Sequence, residues 1–383
     1  MRNAGIRGQN IYHLCSIHTM LKSDIGFPGS KPHYYLLDGL RGVAAIIVLI
    51  FHFLEYIFPY HKDSLLGHGY LAVDFFFALS GFVIGYAYDQ RIKTNGMVNF
   101  FRNRLIRLQP MVILGAVLGL LSYVFNPFAN NIADAGWTNT ILAFIATLLL
   151  IPLAVLPNQA DNVFPLNPPS WSLSTEYIAN IFYAFVLSRI SKKILLLLYV
   201  VFAGWLIYIA KQRGWLIMGW ESHYYFDGWA RTAFSFTTGL VLFRFNVVIK
   251  NKIPAFVLLL LLGLVFFIPH ADNDWMRELV IVMLIFPFII ALSAGVNTSG
   301  FIQQLCIFLG RLSYPLYMTH YFCVSVFGSY YLSHKPSGAT LWMIVIILII
   351  FILVFSYIVM RFYDEPVRKY LMRKWVNKSI DKK

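Results

Sequence analysis

Long stretches without a single charged residue recur through this sequence, and they restrict its fold more than any other feature. Residues 194–209, 257–268 and 341–360 are examples. A helix needs about 20 predominantly apolar residues to cross the hydrocarbon core of a bilayer. Segments of that kind lie near 40–58, 70–88, 110–125, 138–156, 171–189, 194–210, 229–246, 254–269, 277–294, 306–330 and 341–362. Only 13% of the residues are charged and 59% are hydrophobic, whereas a soluble domain carries about a quarter charged residues. The expectation is an all-α fold, a polytopic integral membrane helical bundle, with no internal repeat and no appended soluble domain.

The charges that remain are unevenly placed. Net charge is +14, and basic residues gather at 91–107, 189–193, 244–252 and 361–383, between apolar segments. The positive-inside rule accounts for these clusters, and anionic lipid at the cytoplasmic face attracts them. A nucleic-acid partner is therefore not expected, despite a pI of 9.6. Arg2, Arg7, Lys22 and Lys31 place the N-terminus inside. If every apolar segment crossed, the clusters after residue 156 would fall outside. Removing one crossing between 110 and 156 repairs them all. The prediction is about ten spans with both termini cytoplasmic and a re-entrant or interfacial piece in 110–156, where Pro152 and, just beyond, Pro157, Pro168 and Pro169 favour irregular backbone. The stretches 157–169 and 269–275, free of Lys and Arg, then lie outside. Residues 1–33 read as a disordered cytoplasmic lead, with Met20 an alternative start, and 373–383 as a basic cytoplasmic tail. Cys15, Cys306 and Cys323 show neither metal-ligand nor disulfide spacing, and no metal is expected.

Ionisable residues inside membrane helices cost about 2.5–3.5 kcal/mol each, so those present require a reason. His52 and Glu55 share one face of the first segment, and histidine is suited to take a proton near neutral pH. The other reading of His52 is a structural hydrogen bond to a neighbouring helix. Asp74 and Ser80 lie in the second segment, where Gly81 and Gly85 form a small-xxx-small pair for close helix packing. Asp74 suits a buried polar contact better than chemistry. Trp171 opens a segment in which Ser172, Glu176 and Asn180 form a polar stripe. Glu176 is either neutral or charged and paired with His52 or an arginine. Arg102, Arg104 and Arg107 precede Pro110; they serve topology and lipid headgroups, or clamp a phosphate. Walker A, dinucleotide and His-x-x-Glu-His signatures and the nucleophile elbow are absent from the sequence.

Six motifs stand in order. They are Leu37-Asp38-Gly39-Leu40-Arg41-Gly42-Val43-Ala44 followed by His52, Gly69 to Phe82, Arg104-Leu105-Ile106-Arg107-Leu108-Gln109-Pro110, Pro169 to Glu176, Leu309 to His320, and Glu365-Pro366-Val367-Arg368. Together they resemble the acyltransferase 3 family over about 35–371, in its stand-alone form without a hydrolase-like domain. Gln109 departs from the pattern by replacing an aromatic residue. The resemblance implies a membrane acyltransferase domain at 34–372 in a multi-pass cell membrane protein, in bacteria the inner membrane. It implies transfer of an acyl group, often acetyl, from cytoplasmic acyl-CoA to a hydroxyl of a carbohydrate or glycolipid acceptor. His52 would be the catalytic base or transient acyl carrier, with Glu176 orienting or charge-balancing it. Arg104, Arg107 and Arg41 would bind the CoA phosphates, with Asp74, Ser80, Trp171, Ser172 and His320 as supporting polar residues.

Two other functions fit a polar-lined bundle. A transporter or flippase would use buried His, Glu and Asp as a proton relay, but the sequence lacks the repeated halves many transporters show. A scaffold without chemistry would gain nothing from the costly buried polar set.

Overall fold

The expected bundle is present: the computed structural model describes residues 33–157 and 159–375, and those residues form helices and connecting turns. The expected lead, apart from His33, lies outside the described residues, as does the tail beyond Trp375. Arg373, Lys374 and Trp375, the first residues of that tail, continue the final helix.

In chain order the helices are α1 (Tyr35–Ile57), α2 (Ala72–Tyr88), α3 (Arg91–Val124), α4 (Asn131–Leu149), α5 (Ser170–Phe182) and α6 (Lys192–Arg213). They continue as α7 (Asp227–Arg244), α8 (Ala255–Val265), α9 (Trp275–Ala294), α10 (Gly300–Thr319), α11 (Tyr321–His334) and α12 (Gly338–Trp375). A π-helical turn, Tyr183–Leu187, extends α5. Seven of these are long and apolar enough to cross a membrane: α1, α2 with its preceding turn, α3, α4, α6, α9 and α12. The faces of α6 and α12 away from the protein expose Leu197, Val200, Ile346 and Ile350, as lipid contact requires.

Helix α8 is apolar but too short, with 11 residues, whereas α7 falls short because of its polar residues. Helix α7 carries Arg231, Thr232, Ser235, Thr237 and Thr238, all buried. It lies inside the bundle, where protein rather than lipid surrounds it and polar groups find partners.

Helix α1 packs most extensively on α10, and α2 on α7. The expected small-residue packing in α2 is there: a Cβ on Gly81 would collide with the Phe236 carbonyl oxygen, and one on Gly239 with that of Ala78. Backbones in such close contact gain dispersion energy without any hydrophobic drive.

The region expected to hold a re-entrant piece contains the second half of α3 and all of α4. Helix α4 breaks at Gly136, whose φ is 73°. Taken whole, α4 is long enough to cross, but the straight part that follows the break, 137–149, is only about 20 Å long at 1.5 Å per residue, against the roughly 30 Å hydrocarbon core. Its end meets the interior: Gln109 Nε2 donates to the Leu148 carbonyl at 2.8 Å, and Ser174 Oγ to that of Leu150 at 2.9 Å. Irregular chain then runs to α5. Asn162 on it pairs with Glu221, in the α6–α7 connection.

Candidate active site

Two cavities lie within the bundle and share Val73 and Tyr317 in their walls. The larger, about 340 Å³, is lined by His52, Glu55, Tyr70, Trp171, Arg231 and Tyr321 among others. The smaller, about 100 Å³, is lined by Arg41, Ser80, Arg104, Arg107, Ser172 and Glu176 among others. The sequence-predicted residues are thus divided between two adjoining spaces.

His52 is held from three sides. Its Nδ1 lies 2.6 Å from Glu55 Oε2, one helical turn further along α1. The carboxylate accepts, so Nδ1 carries the proton and Nε2 keeps its lone pair in the neutral ring. The ring stacks on His320 at a centroid distance of 5.2 Å and meets the edge of Tyr321 at 5.3 Å. His320 is buried; its Nδ1 donates to the Leu316 carbonyl at 3.0 Å, while its Nε2 has no hydrogen-bond partner.

Glu176 is not the partner of His52. It accepts from Ser80 Oγ at 2.7 Å and from the Arg104 guanidinium. The carboxylate bonded to His52 is that of Glu55, and the arginine pairing is the one Glu176 adopts. This commits Arg104 as well, because its side chain is only 7% exposed and engaged with Glu176. Asn180, one turn along the same stripe, has both amide atoms buried without partners.

The other arginines considered for phosphate binding differ in availability. Arg41 is paired with Asp38 at 2.9 Å. Arg107 lines the smaller cavity, is exposed, and has no ion-pair partner among the described residues. Arg102 donates instead to the Trp375 carbonyl at 2.6 Å. Gln109, the departure from the family pattern, ties α3 to α4 and accepts from Tyr177 at 3.2 Å.

Of the supporting residues, Ser80 and Ser172 line the smaller cavity and Trp171 the larger, whereas Asp74 and His320 line neither. Ser172 bonds Tyr317 through their hydroxyls at 2.7 Å. Asp74 accepts from Arg231 Nη2 at 2.6 Å, and both side chains are almost fully buried. Arg231 also donates to the carbonyls of Met218 and Tyr70 and lies over the Trp171 ring. Asp74 therefore makes the expected buried polar contact. Sequence reasoning passed over Arg231, although an arginine followed by twelve uncharged residues in the apolar segment 229–246 calls for a buried carboxylate elsewhere.

Residues 34–361 match a family model described as an acyltransferase domain. Protein 2 in the picA locus of Rhizobium radiobacter is 32% identical over 164 residues, which is 39% of this chain and 81% of that protein. Staphylococcus aureus proteins named "Putative O-acetyltransferase", from strains COL and N315 among others, are 26% identical over 376 residues. That match takes in 90% of this chain and 59% of theirs, so the chain spans less than two thirds of the length of those relatives. No solved structure matches.

Proposed function

The chain belongs to the acyltransferase 3 family, and from that membership we propose that it moves an acyl group, acetyl first among them, from acyl-CoA to a carbohydrate hydroxyl. The observation that carries this reading is the pairing of His52 with Glu55 on a cavity adjoining one lined by arginines. In the proposed step His52 Nε2 takes the proton of the acceptor hydroxyl as its oxygen attacks the thioester carbonyl carbon. The carbon–sulfur bond breaks, and the imidazolium returns the proton to the departing CoA sulfur, so the ring ends neutral. Glu55 keeps Nδ1–H in place and stabilises the transient positive charge. Arg107, with Arg41 beside it, receives phosphate groups of the donor, for which a guanidinium fork is well shaped. Arg104 is a positioning residue that holds Glu176 in the wall.

The same reading sets about ten crossings with both ends cytoplasmic. The Asn162–Glu221 pairing supports it, because it puts the chain after α4 at the same end as the connection after α6. Helix α4 then enters and leaves from one side. The arginine-lined cavity faces the cytoplasm and the His52 cavity the opposite side, suiting a donor from within and an acceptor from without.

Radiolabelled acetyl-CoA offered to the purified protein tests the proposal. Release of CoA with label transferred to an oligosaccharide or glycolipid acceptor is expected from wild type and not from His52→Gln. Equal transfer by both proteins would remove His52 from the mechanism, and no turnover with any acyl-CoA would remove the donor assignment.

A further inference from the structure

At the end of α1 opposite the arginine-lined cavity, three side chains from separate elements converge. His68 lies in the connection to α2, His270 in the connection between α8 and α9, and Glu278 in the first turn of α9. One potential ligand atom of each lies within 4.8 Å of the other two. The three side chains are shielded from solvent: that of Glu278 is 0% and that of His270 6% exposed, and His68 is 0% exposed.

Hydrogen bonding inside this cluster is incomplete. His68 Nδ1 lies 2.9 Å from the Ile268 carbonyl oxygen, which only accepts, so Nδ1 is the protonated nitrogen. In the neutral ring Nε2 then presents a lone pair, and it faces a second acceptor, Asp274 Oδ2, at 3.1 Å. Two acceptors this close need a cation or a proton between them. His270 Nδ1 is buried with no hydrogen-bond partner. Glu278 takes bonds from the Tyr70 hydroxyl and the Leu216 N–H, yet no lysine or arginine pairs with it among the described residues. The cluster therefore holds a buried carboxylate, two imidazoles and a nearby second carboxylate with no fixed positive charge except Arg277, which touches Asp274 from the rim at 3.2 Å.

We propose that His68, His270 and Glu278, with Asp274 as fourth or supporting ligand, form a binding site for a divalent transition ion of the zinc class. Two imidazoles and a carboxylate are the donor set such ions select over magnesium or calcium. A ligating histidine whose other N–H donates to a backbone carbonyl is the supporting arrangement such sites use, and His68 has it in Ile268. The ion would fasten the α1–α2 connection to the start of α9. Through the Tyr70–Glu278 bond it would also fix Tyr70, which lines the larger cavity. His270, Asp274 and Glu278 lie within nine residues of one another, and His68 comes from about two hundred residues earlier, so spacing along the sequence does not announce the full set.

The test uses the purified full chain in detergent, stripped by chelator and re-equilibrated with Zn²⁺. Elemental analysis after gel filtration is expected to find one zinc per chain in wild type and in His223→Ala, an exposed histidine away from the cluster. His270→Gln and Glu278→Gln are expected to lose it, and Asp274→Asn to bind about tenfold to a hundredfold more weakly. Zinc should raise the unfolding temperature of wild type and leave that of His270→Gln unmoved. Wild-type protein without stoichiometric zinc would overturn the proposal whatever the variants do, since zinc lies near the strong end of the affinity order for such donors. Undiminished binding by folded His270→Gln and Glu278→Gln would overturn it equally.

Discussion

Replacing Glu55 by glutamine tests how the proposed base is supported. The Nδ1–Oε2 distance of 2.6 Å is that of a charge-assisted hydrogen bond. The amide oxygen of the Glu55→Gln variant would still accept from Nδ1–H, so the ring would keep its tautomer and orientation, but the negative charge that stabilises the imidazolium would be gone. A hydrogen bond to a charged group contributes about 1.5–3 kcal/mol. The side chains of His52 and Glu55 are 20% and 32% exposed, and solvent screening places the effect toward the lower part of that range. At 1.36 kcal/mol per factor of ten, kcat should fall about tenfold, and not beyond about a hundredfold. His52→Gln removes the base itself and should cost about 10²–10⁴. The assay is initial-rate transfer of labelled acetyl groups under saturating donor, with folding checked by gel filtration.

The double variant makes the reasoning refutable. If Glu55 acts only through His52, then His52→Gln with Glu55→Gln should be no slower than His52→Gln alone, because residues acting as a unit lose their effects together. Multiplying losses would mean that Glu55 works independently, for example by touching the acceptor. Wild-type turnover in Glu55→Gln would refute the pairing outright.

Three further outcomes follow from the same geometry. Arg107→Ala should weaken acyl-CoA binding without lowering the unfolding temperature, since Arg107 has no ion-pair partner to lose among the described residues, and Arg107→Lys should restore binding only in part; isothermal titration reads both. Arg231→Met should destabilise the chain by about 3–5 kcal/mol by leaving Asp74 buried and unpaired, visible as a large drop in the unfolding temperature, with Asp74→Asn on that background recovering part of it. A cysteine at Asp272, whose side chain is 85% exposed, should react from outside intact cells with a membrane-impermeant thiol reagent; labelling only after lysis would invert the topology.

What could be read from the sequence follows from which interactions are local. The His52–Glu55 pair spans one helical turn, so spacing alone put both groups on one face. Gly81 and Gly85 announced a close helix contact because only small residues allow one. The Glu176 partner was open, because Arg104 sits on a different helix and hydropathy carries no information about rotation around a helix axis. Arg231 went unnoticed for the opposite reason: averaging over an apolar window hides a single charge, even though that charge makes sense in lipid only with a carboxylate to meet it. Asp74 and Arg231 are each unexplained alone and explain one another once α2 packs on α7.

That packing connects the fold to the chemistry. The Asp74–Arg231 pair keeps Arg231 over Trp171 and on the Tyr70 carbonyl. Both of those residues line the cavity of His52, as Arg231 itself does. The motif around Trp171 continues through Ser172, which holds Tyr317 between the two cavities. A donor thioester entering from the arginine side and an acceptor hydroxyl entering from the histidine side would have to meet at that wall, beside Val73 and Tyr317. On the proposed reading, residues that looked like supporting polar groups in the sequence would share a function. They would fix a boundary that must stay rigid if the two substrates are to be brought within bonding distance, which is the proximity that intramolecular catalysis exploits.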